Sequence, residues 1–148
     1  MKKCREKARE LAQRYNNCDV ENICENLGII VIRQDLPQSV NGFTISMHDI
    51  PFIVVNSNMN YYKQRFTIAH ELGHTQLHGE TNTLNLSLNT AFCVNKYERE
   101  ADCFAAYLLL YLMKSEFEYM DTLTAEYVSQ VLHIPPEKQE DIFEDGLS

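Results

Sequence analysis

Two histidines four residues apart constrain this chain more than any other feature. His70 and His74 belong to the run His70-Glu71-Leu72-Gly73-His74. Four residues of α-helix turn through about 400°, so both imidazoles project from one face about 6 Å apart along the axis. From there both rings can bind one tetrahedral metal ion. The spacing therefore predicts a helix here with a metal site on one of its faces.

Glu71 follows the first histidine and points about 100° around the same helix. It is poorly placed to bind the ion but can reach a water in an open fourth position. A metal lowers the pKa of such a water, and a nearby carboxylate can take its proton and later pass one to a leaving amine. The pattern predicts Glu71 as a general base. Gly73, which costs about 1 kcal/mol relative to Ala in a helix interior, indicates close packing beside the site.

A catalytic zinc has three protein ligands in most known sites, so a third ligand is needed. Glu98 and Asp102 are four apart in a second predicted helix and share a face, whereas Glu100 points elsewhere. We predict Glu98 as the ligand and Asp102 as the acceptor for the outer N–H of a liganding histidine. Glu100 is the alternative ligand. Both glutamates also suit the first turn of a helix without any metal, because of the helix dipole.

The remaining pattern predicts a mainly helical α+β protein with a sheet of about three strands. A hairpin is expected over 41–55, and 80–95 reads as a loop or weak edge strand. An acidic tail after Pro136 is expected to be mobile. Helices are expected over 2–15, from Asp19 to Gly28, over 59–77 and 96–113, and from Leu123 to Leu132 with Asp121 or Thr122 as cap.

Charge and cysteine content limit the function classes. The 13 basic and 21 acidic side chains give a net charge of −8, so binding to nucleic-acid phosphates is not expected. Five scattered cysteines suit free thiols in a reducing cytoplasm. The charged first residues do not resemble a signal peptide. The apolar run 104–113 is about half the ~20 residues of a membrane span, so no membrane association is expected.

The run from Arg65 to His74, then Leu77-His78, then Glu98–Asp102 and Phe104–Leu109, resembles the ImmA/IrrE metallo-endopeptidases. The resemblance covers roughly residues 19–113. It implies a zincin-like α+β domain with His70, His74 and Glu98 on one zinc ion and Glu71 as base. We expect this domain to span 1–114, with a small helical extension over 115–148 packed on it.

Members that resemble ImmA relieve repression by cleaving a helix-turn-helix repressor encoded beside them on a mobile element. The resemblance thus implies a cytoplasmic protein substrate. Two alternatives stay open: a zinc-containing module that sequesters a regulator without cutting it, and a DNA-binding regulator built on residues 121–134. An intact Glu71 favours the enzyme, since a structural zinc needs no base.

Several other side chains are candidates for a role in the site. His78 does not fit the spacing of a third histidine ligand and reads as a hydrogen-bonded histidine near a helix end. Cys93 reads as an ordinary buried thiol. Tyr97, Tyr107 and Tyr111 are candidate donors to an oxyanion. The strand Phe52–Val55 is a candidate exposed edge for an extended substrate.

Overall fold

The helix that carries both histidines packs between a three-stranded sheet and a second long helix. The computed structural model of the protein describes residues 2–16, 18–79, 91–113 and 123–143, with the backbone alone for 91–95. Its helices are α1 (Lys2–Arg14), α2 (Val20–Asn26), α3 (Tyr61–Leu77), α4 (Ala91–Leu112), α5 (Ala125–Leu132) and α6 (Pro136–Ile142). Its strands are β1 (Ile30–Gln34), β2 (Gly42–Met47) and β3 (Ile50–Asn56). This is the predicted zincin-like α+β arrangement.

The sheet has the order β1-β3-β2, with β1 parallel and β2 antiparallel to the central strand β3. The predicted hairpin is confirmed: β2 and β3 are joined through His48 and Asp49, whose φ angles are 52° and 64°. Two consecutive positive φ angles are typical of a type I′ hairpin turn. The prediction of Phe52–Val55 as an exposed edge is wrong, because β3 is paired on both sides. The edge nearest to α3 is β2.

The two faces of the sheet differ in burial. Ile53 and Val55 of β3 are fully buried against the helices. Residues directly across a ladder share a face, and the pairs Ile30–Phe52 and Phe43–Val54 lie on the opposite face. Ile30 is 44% exposed and Phe43 40% exposed. The sheet therefore covers the core with one face only.

Local signals explain where α2 and α3 begin and end. Asp19 is the N-cap of α2, as predicted, and Gly28 follows the helix with φ 78°. Asn60 caps α3 by accepting a hydrogen bond from the Lys63 N–H at 2.9 Å. Gly79 lies just past the end of α3 with φ 53°, a conformation that glycine adopts without steric cost. These caps fix the register of α3 and therefore the direction of its histidines.

Close contact between α3 and α4 depends on Gly73, as the sequence indicated. A Cβ at this position would lie 3.0 Å from Phe104 Cδ1 and 3.3 Å from both Cα and O of Ala101. Helix α4 begins at Ala91, five residues before the predicted start, and is almost fully buried from Ala101 to Tyr111. Within the described residues no helix is both long enough and apolar enough to cross a membrane.

The C-terminal helices correct two expectations. Helix α5 is capped by Thr124, which accepts a hydrogen bond from the Tyr127 N–H; Asp121 and Thr122 lie outside the described residues. Residues 136–142 form α6 where a mobile tail was expected, and Ile142 and Phe143 are buried. Proline at the first position of a helix loses no hydrogen bond, so Pro136 starts α6 rather than preventing it. Residues 80–90, expected as a loop or weak strand, lie outside the described part of the chain.

Candidate metal centre

Helix α3 presents His70 and His74 on one face, one turn apart. Their ring centroids are 4.7 Å apart and the rings meet edge to face. The two Nε2 atoms lie 3.1 Å from each other. Both side chains are largely buried, at 13% and 17% exposure. The face predicted from the spacing is therefore turned inward, toward α4.

Helix α4 adds Glu98 to the same point in space. Its Oε2 atom lies 3.1 Å from His70 Nε2, and its Oε1 atom lies 3.0 Å from His74 Nε2. Nitrogen and oxygen donors of all three residues lie within 4.8 Å of one another. The Glu98 side chain is 51% exposed, so the group is open to solvent on one side.

These donors fit a divalent metal ion in chemistry and in spacing. In a tetrahedral site with metal–ligand distances of about 2.0–2.1 Å, neighbouring ligand atoms are roughly 3.3 Å apart. The separations of 3.0–3.1 Å among His70, His74 and Glu98 are close to that value. A pair of imidazoles with one carboxylate is also a known donor set of catalytic zinc. The three residues are therefore able to hold one ion.

Asp102 lies where the sequence analysis expected it, beside the outer nitrogen of His70. His70 Nδ1 donates to Asp102 Oδ1 at 2.8 Å, which leaves Nε2 for the ion. Lys138 of α6 lies 3.2 Å from the other carboxylate oxygen, Oδ2. The carboxylate is thus held between an imidazole and an ammonium group. Lys138 was not predicted as a site residue, because the segment after Pro136 was expected to be a mobile tail.

The outer nitrogen of His74 has a partner that the sequence analysis did not assign to it. His74 Nδ1 lies 2.9 Å from His78 Nδ1, and His78 Nε2 lies 3.1 Å from Glu100 Oε2. His78 is hydrogen-bonded near the end of α3, as predicted. Glu100, the alternative ligand, faces His78 and not the group formed with Glu98. The contact between His74 and His78 could have been predicted, because residues four apart on a helix are neighbours.

Burial and hydrogen bonding shift the pKa values in the site. Burial alone would lower the pKa of His70, but hydrogen bonds to Asp102 and Glu98 outweigh it and raise that pKa to about 9. Hydrogen bonds from His70 and His74 hold the pKa of Glu98 well below its ordinary value. Burial lowers the pKa of His78 and so favours its neutral form. A metal ion at this point competes with a proton on His70.

Glu71 lies on α3 beside this group, and its carboxylate is tied to the sheet. The Thr44 hydroxyl of edge strand β2 donates to Glu71 Oε2 at 2.8 Å. Thr44 was not predicted as a site residue, because nothing in the sequence pattern of β2 distinguishes it. The hydrogen bond fixes one carboxylate oxygen and leaves the other available for proton transfer.

The remaining histidines lie in turns outside the metal site, and the three tyrosines predicted as oxyanion donors lie at different distances from it. His48 occupies the hairpin turn, and His133 ends α5 and stacks on Tyr62. Tyr107 and Tyr111 are buried where Arg5 and Arg9 of α1 lie over their rings. Tyr97 is the oxyanion candidate closest to the site, with its ring 4.3 Å from that of His78. The side chain of Cys93 lies outside the described residues.

The structure combines a histidine pair on one helix, a carboxylate from the next helix and a small sheet beside them, which is the arrangement of a zincin-type metal centre. The chain belongs to peptidase family M78: the model of its IrrE N-terminal-like domain matches residues 24–135. That range contains all three candidate ligands together with Glu71 and Asp102.

Two relatives agree with this membership. The chain is 38% identical over 100 residues to Uncharacterized immunity region protein 2 of Bacillus phage phi105, a match covering 68% of this chain and 63% of the phage protein. It is 27% identical over 131 residues to Metallopeptidase ImmA of Bacillus subtilis strain 168, covering 87% of this chain and 77% of that protein. The chain thus spans less than two thirds of the phage relative.

Proposed function

We propose that this protein is a zinc-dependent endopeptidase that cleaves a cognate helix-turn-helix repressor in the cytoplasm. The observation that carries the proposal is the convergence of His70, His74 and Glu98 beside the carboxylate of Glu71. Two imidazoles and one carboxylate suit zinc better than the harder ions magnesium or calcium. The half-exposed position of Glu98 leaves a side from which a peptide can approach.

Each residue has a defined part in this proposal. His70, His74 and Glu98 bind the zinc ion, and Asp102 orients the ring of His70. When bound, zinc polarises the scissile carbonyl and acidifies the attacking water. Glu71 accepts the proton of that water and passes it to the amine that leaves. The Thr44 hydroxyl keeps the Glu71 carboxylate in position during both transfers.

Family membership and the phage relative support the choice of substrate. The phage protein is named for an immunity region, and the resemblance noted above links this family to repressors encoded beside it. A cytoplasmic location agrees with the free thiols of Cys4, Cys18, Cys24 and Cys103. The net charge of −8 is a further reason to expect a protein partner and not a nucleic acid.

The proposal is tested by incubating zinc-loaded protein with the repressor encoded beside its gene. Glu71→Gln keeps the shape of the side chain but cannot accept the proton, so cleavage should fall by about 100-fold or more while zinc binding persists. Glu126→Gln, an exposed change on α5 with the same loss of charge, is the matched control. Discrete fragments, identified by mass, should appear with the wild type and this control.

Binding without cleavage is the result that favours the sequestering module. In that case the wild type and Glu71→Gln would hold the repressor with equal affinity, and neither would cut it. Cleavage by Glu71→Gln at the wild-type rate would instead remove Glu71 from the mechanism while keeping the enzyme.

A further inference from the structure

His78 and Glu100 form a hydrogen-bonded pair behind the metal centre, and the proposed reaction gives this pair no part. The His78 side chain is 3% exposed and that of Glu100 is 22% exposed. Both ring nitrogens of His78 are engaged, Nδ1 with His74 and Nε2 with Glu100. His78 therefore has no nitrogen left for a metal ion and is not a fourth ligand.

The carboxylate of Glu100 determines which ring nitrogen of His78, and then of His74, carries the proton. Ionised Glu100 can only accept a hydrogen bond, so the proton of His78 is on Nε2. A neutral imidazole then has a lone pair on Nδ1, which accepts from the Nδ1–H of His74, 2.9 Å away. Because Nδ1 of His74 carries this proton, the loss of any Nε2 proton on metal binding leaves the lone pair of His74 on Nε2. That is the atom that faces Glu98 and His70.

We propose that His78 and Glu100 are positioning residues that hold His74 in the tautomer whose Nε2 binds the metal. Asp102 does the same directly for His70. Helix α3 places His74 one turn further along, where the relay through His78 connects it with the carboxylate of Glu100. Each histidine ligand is thus matched with its own carboxylate on α4. The inference rests on the proposed function only in requiring that a metal ion binds at His70, His74 and Glu98.

The experiment measures zinc affinity by competition with a chromogenic chelator, alongside thermal unfolding of protein stripped of metal. His78→Phe keeps a ring of similar size but removes both hydrogen bonds. Loss of such an outer partner is expected to weaken zinc binding about 10- to 100-fold. His78→Gln can accept from His74 through its amide oxygen and donate to Glu100 through its amide nitrogen, so it should recover most of that loss. Glu126→Gln should bind zinc like the wild type.

A double-mutant cycle of His78→Phe and Glu100→Gln shows whether the two residues act on His74 as one relay or independently of each other. Glu100→Gln alone should weaken zinc binding less than His78→Phe does. In the His78→Phe background it should have almost no further effect, because its link to His74 is already broken. Equal losses in both backgrounds would overturn the relay.

The proton positions can be measured directly, even if His78→Phe does not fold. Nitrogen-15 shifts of the zinc-loaded wild type should show Nδ1–H on His74 and Nε2–H on His78, and the reverse tautomers would overturn the proposal. Zinc affinity of folded His78→Phe within twofold of wild type would also overturn it, as would equal weakening by His78→Phe and His78→Gln. A wild type that binds zinc while these variants behave alike leaves the proposed function standing. A wild type that binds no zinc overturns both proposals.

Discussion

At the residue scale, Thr44 gives the Glu71 carboxylate a hydrogen-bond partner from outside its own helix. The hydroxyl donates to Oε2 at 2.8 Å and comes from β2, the strand at the sheet edge beside α3. A glutamate on a helix surface otherwise has several rotamers of similar energy. Fixing one oxygen limits this freedom and, in the proposed mechanism, leaves the other oxygen to accept the proton of the attacking water.

Thr44→Val should therefore slow repressor cleavage by about tenfold or slightly more, the equivalent of roughly 1.5 kcal/mol, which is the lower end of what one hydrogen bond to a charged group contributes. The substitution keeps the β-branched shape of the side chain, so folding should be unaffected. Cleavage rate and zinc affinity are measured together, and only the rate should change. Thr44→Ser, which keeps the hydroxyl, is the control. A serine variant as slow as the valine variant would contradict this role.

Residue partners differ in how far they can be predicted from sequence. Asp102 was predictable as a partner of one of the two histidines, though not of His70 in particular, because it lies one helical turn from Glu98 and one helix presents both to the same place. Thr44 and Glu71 belong to elements whose relative position depends on the register of the sheet. The contact between His78 and Glu100 could be predicted only if α3 and α4 were known to approach closely enough for an imidazole to span them. Such contacts follow from tertiary packing rather than from any local pattern.

At the element scale, Gly73 sets the distance between α3 and α4. A methyl group there would lie 3.0 Å from Phe104 Cδ1 and 3.3 Å from the backbone of Ala101. Both contacts are shorter than ordinary van der Waals separations. Because α4 carries Glu98, Asp102 and Glu100, any displacement of this helix moves three carboxylates relative to the histidines.

Gly73→Ala should destabilise the protein although alanine is the better helix former. Overpacking costs about 1 to 3 kcal/mol, which equals or exceeds the roughly 1 kcal/mol that the helix gains. The midpoint temperature of thermal unfolding and the zinc affinity should both decrease. Adding Phe104→Leu removes the aromatic contact and should restore only part of the loss, because the Ala101 backbone remains. A Gly73→Ala variant more stable than wild type would show that the helices can separate freely.

An ion pair between Glu21 and Arg33 joins α2 to β1. The guanidinium donates to both carboxylate oxygens, at 2.8 and 3.0 Å. The hydrogen bond to Arg33 outweighs burial and lowers the pKa of Glu21 below its ordinary value of 4.5. A carboxyl group whose pKa is lower in the folded state than in the unfolded state stabilises the fold at pH values above its ordinary pKa. The contribution disappears as the pH falls through the folded-state pKa.

Glu21→Gln should thus lower the free energy of unfolding by about 0.5 kcal/mol at neutral pH, a small value because solvent screens the pair. The difference from wild type should shrink as the pH falls below 4.5 and vanish once Glu21 is protonated in the folded protein. Urea unfolding over a pH series measures it. Glu25→Gln, an exposed change on the same helix, should show no such trend.

Elements were predictable where their ends carry local signals. Asp19 and Gly28 bound α2, and the Asn41 to Val55 segment formed the expected hairpin. Strand order was not predictable in this way, because β1 pairs with β3 across the whole hairpin and no turn chemistry encodes that choice. For this reason β3 was mistaken for an edge. The start of α6 was missed because proline was read only as a signal that ends helices.

At the scale of the whole molecule, α6 connects the C-terminal residues to the metal centre. It lies beyond residue 135, where the match to the family model ends. The Phe143 ring lies 5.8 Å from that of Tyr107, and Ile142 is 3% exposed. Lys138 Nζ reaches Asp102 Oδ2 at 3.2 Å. We propose on these contacts that residues 115–148 are an extension packed on the domain formed by 1–114.

Ending the chain after Pro135 should consequently cost stability and zinc affinity together. Burial of Ile142 and Phe143 is worth about 1.5 to 3 kcal/mol each, so a loss of roughly 3 to 6 kcal/mol is expected in urea unfolding. Lys138→Met in the full chain keeps the apolar stem but removes the charge beside Asp102. Because Lys138 is 41% exposed, solvent weakens this ion pair, and zinc affinity should change much less than in the truncated chain. If the truncated chain matched the full one in both measurements, α6 would not belong to the domain. If Lys138→Met alone reproduced the whole loss of zinc affinity, the charge and not the packing of α6 would support the centre.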